Sequence, residues 1–249
     1  MNLPPDPPLV RTCGNTRTLE FVPGMIQSEM RLSDPDQLVL AYPRAMMCFV
    51  LFQPQPAHIL MVGLGGGSLV KFCHRYLPHS RITVLELRAD VIALREQFAV
   101  PPDDARLRII QADAAEYLKR CDEMADVLLI DGFDELGLPP ALGSSSFYRH
   151  CRRLLRPGGV LVANIFSYDP AYPDMRMRLN AAFDGQLCRF HGIAGNNHLL
   201  FAVAGKQATP ALDMLRRVQR SALFAFSWAN RLLAHWVVQR LRRGRPVRL

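Results

Sequence analysis

Three carboxylates stand where they could do chemistry: Glu86, Asp113 and Asp131. Each lies at or just past the end of an apolar run, Ile82–Glu86, Leu107–Gln111 and Ala125–Asp131. Ligands of open α/β sheets bind outside the carboxyl ends of the strands, so all three should line one crevice. Upstream, His58-Ile-Leu-Met-Val-Gly-Leu-Gly-Gly-Gly-Ser68 carries a fully apolar strand straight into Gly63, Gly65, Gly66 and Gly67. Glycines in that number let the chain reverse with positive φ and bring the amides of the next helix against a ligand, which makes the loop a candidate nucleotide cradle. Glu86, about twenty residues on, is spaced to accept hydrogen bonds from ribose hydroxyls. Asp113 can accept from an adenine amino group, or cap the helix that follows it. Asp131 is the candidate base, because burial and clustering raise a carboxylate towards a useful range. With Asp134 and Glu135 on the loop behind it, the cluster suits a small cationic amine substrate, although Asp134 and Glu135 can equally be solvated loop residues.

Positioning these groups requires short apolar strands alternating with helical segments, the pattern of a parallel, doubly wound sheet. Strands are predicted at Ile59–Val62, Ile82–Glu86, Leu107–Gln111, Ala125–Asp131 and Gly159–Asn164, with a helix near Pro173–Phe183. Leu187–Ile193 and Leu199–Ala204 are separated by only Ala-Gly-Asn-Asn-His, so the last two strands should pair antiparallel. Ahead of the sheet, Thr18–Val22 and Met25–Leu32 alternate around Pro23-Gly24 and read as a β-hairpin. The run from Gln37 to Phe52 has helical spacing, with Pro43 in its first turn. Four units follow: an irregular Pro-rich arm (1–16), a hairpin-and-helix module (17–56), an adenosyl-binding catalytic domain (57–205) and a basic helical tail (206–249).

At 249 residues, 49% hydrophobic and 21% charged, the chain is long enough for a substantial core. Its six cysteines, at 13, 48, 73, 121, 151 and 188, form no Cys-x-x-Cys pair and have no histidine at metal-ligand spacing. Neither a metal site nor a disulfide framework is indicated, and reduced thiols in a cytoplasmic protein are the simplest reading. Neither a signal peptide nor a membrane span is expected. The net charge of +8 is uneven: residues 206–249 hold ten Lys or Arg against Asp213 alone, leaving the other 205 residues near −1. A near-neutral body does not read as a specific nucleic-acid binder. In the tail, Leu212, Leu215, Leu223, Phe226, Leu233 and Val237 contribute an apolar stripe, with Trp228 and Trp236 beside it. This suits either one or two helices packed on the domain or on a partner copy, or an interfacial helix on an anionic membrane surface. On both readings its removal should leave adenosyl-ligand binding intact but alter solubility or association state.

The ordered set Gly63-Leu-Gly-Gly-Gly-Ser68, Val84-Leu-Glu-Leu87, Gln111-Ala-Asp113, Asp131-Gly-Phe-Asp134, Ser146-Phe-Tyr148 and Leu155-Arg-Pro-Gly-Gly159 resembles the spermidine synthase family of polyamine aminopropyltransferases. Gly24-Met-Ile-Gln-Ser28 is similar to that family's N-terminal hairpin. The resemblance implies a seven-stranded, Rossmann-like S-adenosylmethionine-dependent methyltransferase sheet behind a small β-module, usually as a homodimer. It implies transfer of aminopropyl from decarboxylated S-adenosylmethionine to a diamine, a polyamine acceptor, without a metal. By the same resemblance Gln27 touches the donor, Glu86 its ribose and Asp113 its adenine; Asp131 activates the amine, Asp134 lies near the acceptor, and Tyr42 answers to a pocket tyrosine. The family's glycine loop usually carries an Asp for the donor's ammonium where this chain has Gly66. That departure keeps open a methyltransferase using intact S-adenosylmethionine, whose carboxylate an acid-free loop hosts better, and a non-catalytic adenosyl-binding module.

Overall fold

The computed structural model describes residues 6–132, 137–194, 197–205, 210–220 and 227–247. Asp134 and Glu135, and Leu223 and Phe226 of the tail stripe, lie outside the described residues.

The chain opens with three antiparallel strands, β1 (Leu9–Cys13), β2 (Thr16–Val22) and β3 (Met25–Arg31), in the order β1-β2-β3. The hairpin of β2 and β3 turns at Pro23-Gly24 as its alternation predicts. The expectation of an irregular arm through residue 16 fails at β1, which pairs with β2 from Leu9↔Glu20 to Cys13↔Thr16. Proline at positions 4, 5, 7 and 8 outweighed a short polar-apolar run that only a neighbouring strand stabilises. Next come α1 (Ala41–Met46), with Pro43 in its first turn, and a 3-10 turn at Met47–Leu51.

The sheet that follows has seven strands: β4 (His58–Val62), β5 (Arg81–Glu86), β6 (Leu107–Gln111), β7 (Ala125–Ile130), β8 (Leu155–Phe166), β9 (Leu187–Ala194) and β10 (Asn197–Val203). Their order is β6-β5-β4-β7-β8-β10-β9; the first five are parallel, and β10 runs antiparallel to both β8 and β9. Strand order reverses between β4 and β7, where this architecture opens its ligand crevice. Helices α2 (Ser68–Tyr76), α3 (Ala89–Ala93), α4 (Ala114–Arg120), α5 (Ser145–Leu154) and α6 (Tyr172–Ala182) connect the strands.

Alternate residues of each buried strand feed two cores. Ile59, Met61, Val84 and Val127 pack with Phe49 and Phe72 on one face, while Leu60, Val62, Leu128 and Leu161 pack with Leu118, Phe147 and Leu179 on the other. The tail forms α7 (Pro210–Arg220) and α8 (Ser227–Arg242) and is no appendage. Leu212, Leu215, Ala234, Val237, Val238 and Leu241 are buried in the first core, and α8 packs on α1, the 3-10 turn and β9. Arg242 reaches back to Asp34 at 2.7 Å. Of the two readings of the tail, helices packed on the domain is the one the structure shows, and removing residues 210–249 would expose that apolar face. Among the described residues no helix is long and apolar enough to cross a membrane.

Candidate active site

Strand register puts four chain positions in one row at the carboxyl edge. Val62 pairs with Leu85 and with Ile130, Glu86 pairs with Gln111, and Ile130 pairs with Ala163, so Gly63, Glu86, Asp131 and Asn164 stand side by side. Backbone bonds from Gly63 N–H to the Leu85 carbonyl (2.8 Å) and from Asp131 N–H to the Val62 carbonyl (2.9 Å) carry the pairing one residue past the strands. At this edge a cleft of about 270 Å³ is lined by Gln27, Tyr42, Gly63, Gly65, Gly66, Glu86, Asp113 and Asp131. Gly67 lies just behind it, as the N-terminal neighbour of α2, with φ +65°.

Gly63 is demanded by its surroundings: φ is +95°, and a Cβ there would run into the carbonyl of Asp131. The first residues of α2, Ser68 to Val70, line the cleft, so the unpaired amides of a helix N-terminus open towards it. Glu86 is nearly buried, and one carboxylate oxygen accepts from Leu64 N–H at 2.8 Å while the other accepts from Arg88 N–H at 2.9 Å. Burial raises its pKa; these amides and the Arg88 charge pull against the rise. Two bonds leave a carboxylate further acceptor capacity, so Glu86 can fix the glycine loop and still receive ribose hydroxyls. Asp113 accepts from Ala115 N–H at 2.8 Å as the cap of α4, and it also lines the cleft.

Asp131 sits between an amide and a phenol. Asn164 on β8 donates to it at 2.9 Å, and Asn197 at the start of β10 donates to the Asn164 oxygen at 2.7 Å. The Tyr42 hydroxyl donates to the Gln27 carbonyl at 3.2 Å, and burial first, then the Asp131 carboxylate beside it, drive the phenol's pKa well up. Burial raises the Asp131 carboxyl to about 7, against the opposing pull of Asn164 and Tyr42. A group poised there takes and releases protons near neutrality.

Sequence reasoning missed the asparagines. Asn164 is fully buried inside the apolar run Val160–Ile165, and a polar residue in such a run needs a partner, which is the signal that marks it. The departure at Gly66 also has a structural counterpart. A Cβ at this position would meet Ser28 Oγ at 2.6 Å and the Phe98 ring at 2.9 Å, so the room for a larger side chain is filled.

The sequence profile of the spermine/spermidine synthase domain matches residues 39–169. A polyamine aminopropyltransferase of Chromobacterium violaceum is 37% identical over 210 residues, covering 84% of this chain and 79% of its own. One from Neisseria meningitidis is 36% identical over 211 residues, with the same coverage of 84% and 79%. Among solved structures, a probable spermidine synthase from Corynebacterium glutamicum superposes with TM-score 0.72 at 18% identity, over 97% of this chain and 92% of the other. A spermidine synthase in complex with the transition-state analogue AdoDATO superposes with TM-score 0.61 at 20% identity, over 92% and 81%. The structural likenesses speak to the fold, and the sequence matches, which span the glycine loop, Glu86, Asp113 and Asp131, place the chain in the spermine/spermidine synthase family.

Proposed function

We propose that the protein is an aminopropyltransferase, moving the aminopropyl group of decarboxylated S-adenosylmethionine to an amine, with Asp131 as the base. The observation that carries this reading is the neutral-range carboxylate of Asp131 at the switch point, beside the Gly63 loop and Glu86. Gln27, Glu86 and Asp113 would hold the donor, which supplies an alkyl carbon already activated by its sulfonium. Asp131, held by Asn164 and Tyr42, would orient the acceptor amine and receive its proton as the nitrogen bonds that carbon. The carbon–sulfur electron pair leaves with sulfur as methylthioadenosine. Asp134 and Glu135 are proposed to face the acceptor from the following loop.

The direct test is release of methylthioadenosine from the decarboxylated donor in the presence of an amine. Because the base must be ionised to act, kcat should rise with pH through a limb near 7 and flatten above it. A pH-independent kcat between 5 and 9 would remove Asp131 from the role.

Donor contacts are checked separately. Asp113→Ser keeps a good helix cap but shortens the reach into the cleft, so melting should hold while methylthioadenosine affinity by calorimetry weakens by about 1–3 kcal/mol. Glu86→Ala should lower both, since Leu64 and Arg88 lose their acceptor. Unchanged affinity in both variants would sink the adenosyl-pocket reading.

A second reading, methyl transfer from intact S-adenosylmethionine, is favoured by one feature: Ser28 and Phe98 fill the place of an acid at position 66. Tighter calorimetric binding of the intact donor than of the decarboxylated one would select it. We infer in addition a cytoplasmic homodimer. The exposed row Trp228, Leu232 and Trp236 on α8, alongside Arg231, supports peripheral contact with an anionic membrane surface.

A further inference from the structure

Lys71, in the first turn of α2, is only 1% exposed, and the transfer outlined above gives it no task. Holding an ammonium out of water is costly: burial pulls the Lys71 pKa down to about 8, with the charge of Asp36 opposing the fall. Among the described residues Lys71 makes no ion pair. Its ammonium donates instead to the Phe98 carbonyl at 2.7 Å.

What that bond holds is the turn beneath the glycine loop. The Phe98 ring lies 2.9 Å from where a Cβ on Gly66 would stand, and a Cβ on Gly67 would run into Val100, so both side chains rest against the loop. Between them Ala99 has φ +53°, a left-handed conformation that an L residue keeps only where its surroundings impose it. Lys71 ties the two parts together, because its own N–H donates to the Gly67 carbonyl at 2.9 Å while its side chain holds Phe98. We infer that Lys71 is a positioning residue for the adenosyl donor: by tying Phe98 to α2 it keeps the turn against Gly66 and Gly67 and so fixes where the loop amides stand in the cleft. Lys71 is not among the residues that line the cleft, so it acts through the turn and touches no substrate. The inference rests on the reading of this cleft as the donor site.

The experiment uses the full-length protein and Lys71→Met, which keeps nearly the length of the side chain but neither its charge nor its donor. Lys71→Gln, whose amide falls one bond short of the carbonyl, is the second variant. Hydrogen exchange of the ligand-free proteins reads the loop, and calorimetry with methylthioadenosine reads the donor site. Both variants should exchange roughly tenfold faster over residues 63–70 and 98–100 and little differently elsewhere, and should bind methylthioadenosine roughly tenfold more weakly, the scale of one charge-assisted hydrogen bond. Lys71→Met should nevertheless melt no lower than the parent at pH 7, since it has no ammonium to bury. Phe98→Leu should weaken binding by itself and add little to Lys71→Met, as two groups acting through one contact do. Loop exchange and affinity that both stay within about twofold of the parent overturn the inference. So does full additivity with Phe98→Leu, or a falling melting temperature with protection lost across the whole sheet, which is a general loosening. If the parent binds no methylthioadenosine, it is the donor reading that fails, and loop exchange then decides alone: acceleration confined to 63–70 and 98–100 supports the positioning role, and unchanged exchange ends it.

Discussion

Asp131→Asn is expected to lower turnover by roughly a hundredfold or more while leaving donor affinity unchanged, since the amide keeps the shape of the carboxylate but cannot take the amine's proton. The same substitution should make the protein more stable, and only at neutral to alkaline pH. The Asp131 carboxyl, ordinarily near 3.8, titrates at about 7 in the fold, so ionising it works against the folded state. Its contribution to stability is whole below about 4 and is lost as pH rises through 7. Each unit of displacement corresponds to about 1.4 kcal/mol. Asp131 borders a cleft that water can enter, so a gain of about 1–3 kcal/mol at pH 8 is the reasonable scale, with none at pH 4. Melting curves of parent and variant at the two pH values, set beside kcat, measure both effects. A variant that turns over within a few-fold of the parent, or that melts identically at pH 8, would show that Asp131 is not the strained base described.

Gly63→Ala should have the other large effect. At φ +95° an L side chain is strained in any surroundings, and this one would be driven into the Asp131 backbone, whose carbonyl carbon lies 2.8 Å from the added Cβ. The neighbour cannot easily yield, because Asp131 N–H is bonded to Val62 and Gly63 N–H to Leu85. A loss of about 3 kcal/mol or more is expected, a drop of roughly 10 °C for a chain of this size, together with loss of adenosyl-ligand binding. Gly65→Ala is the control: φ is +50° there, and the nearest atom, Ser28 Cβ, is 4.0 Å away. It should cost only the roughly 1–2 kcal/mol of a left-handed L residue. Equal melting of the two variants would mean that the strand edge is softer than its hydrogen bonds imply.

The sequence disclosed the parts of this fold that hydrophobic period and chain punctuation control. All seven strands of the large sheet and its antiparallel last pair follow from short apolar runs, and Glu86 and Asp131 mark strand ends because a carboxylate stops such a run. Relations across strands were not legible in the same way. That Asn164 holds Asp131 depends on the β7–β8 register, and that Asn197 holds Asn164 depends on β10 sitting beside β8, which no local pattern expresses. The tail was legible in part for a related reason. Its apolar stripe called for packed helices, while the side of α8 that meets the first core, Ala234, Val237, Val238 and Leu241, depends on contacts with α1 and β9 that no local pattern expresses.

The filled space around Gly66 bears on how the loop can change. With Ser28 Oγ and the Phe98 ring where a side chain would go, an acid introduced at position 66 needs room made for it. Phe98 is itself pinned, since the buried Lys71 ammonium donates to its carbonyl at 2.7 Å. That room would have to come from a smaller residue at 28 or 98, so the glycine loop and the side chains packed beneath it can change only together.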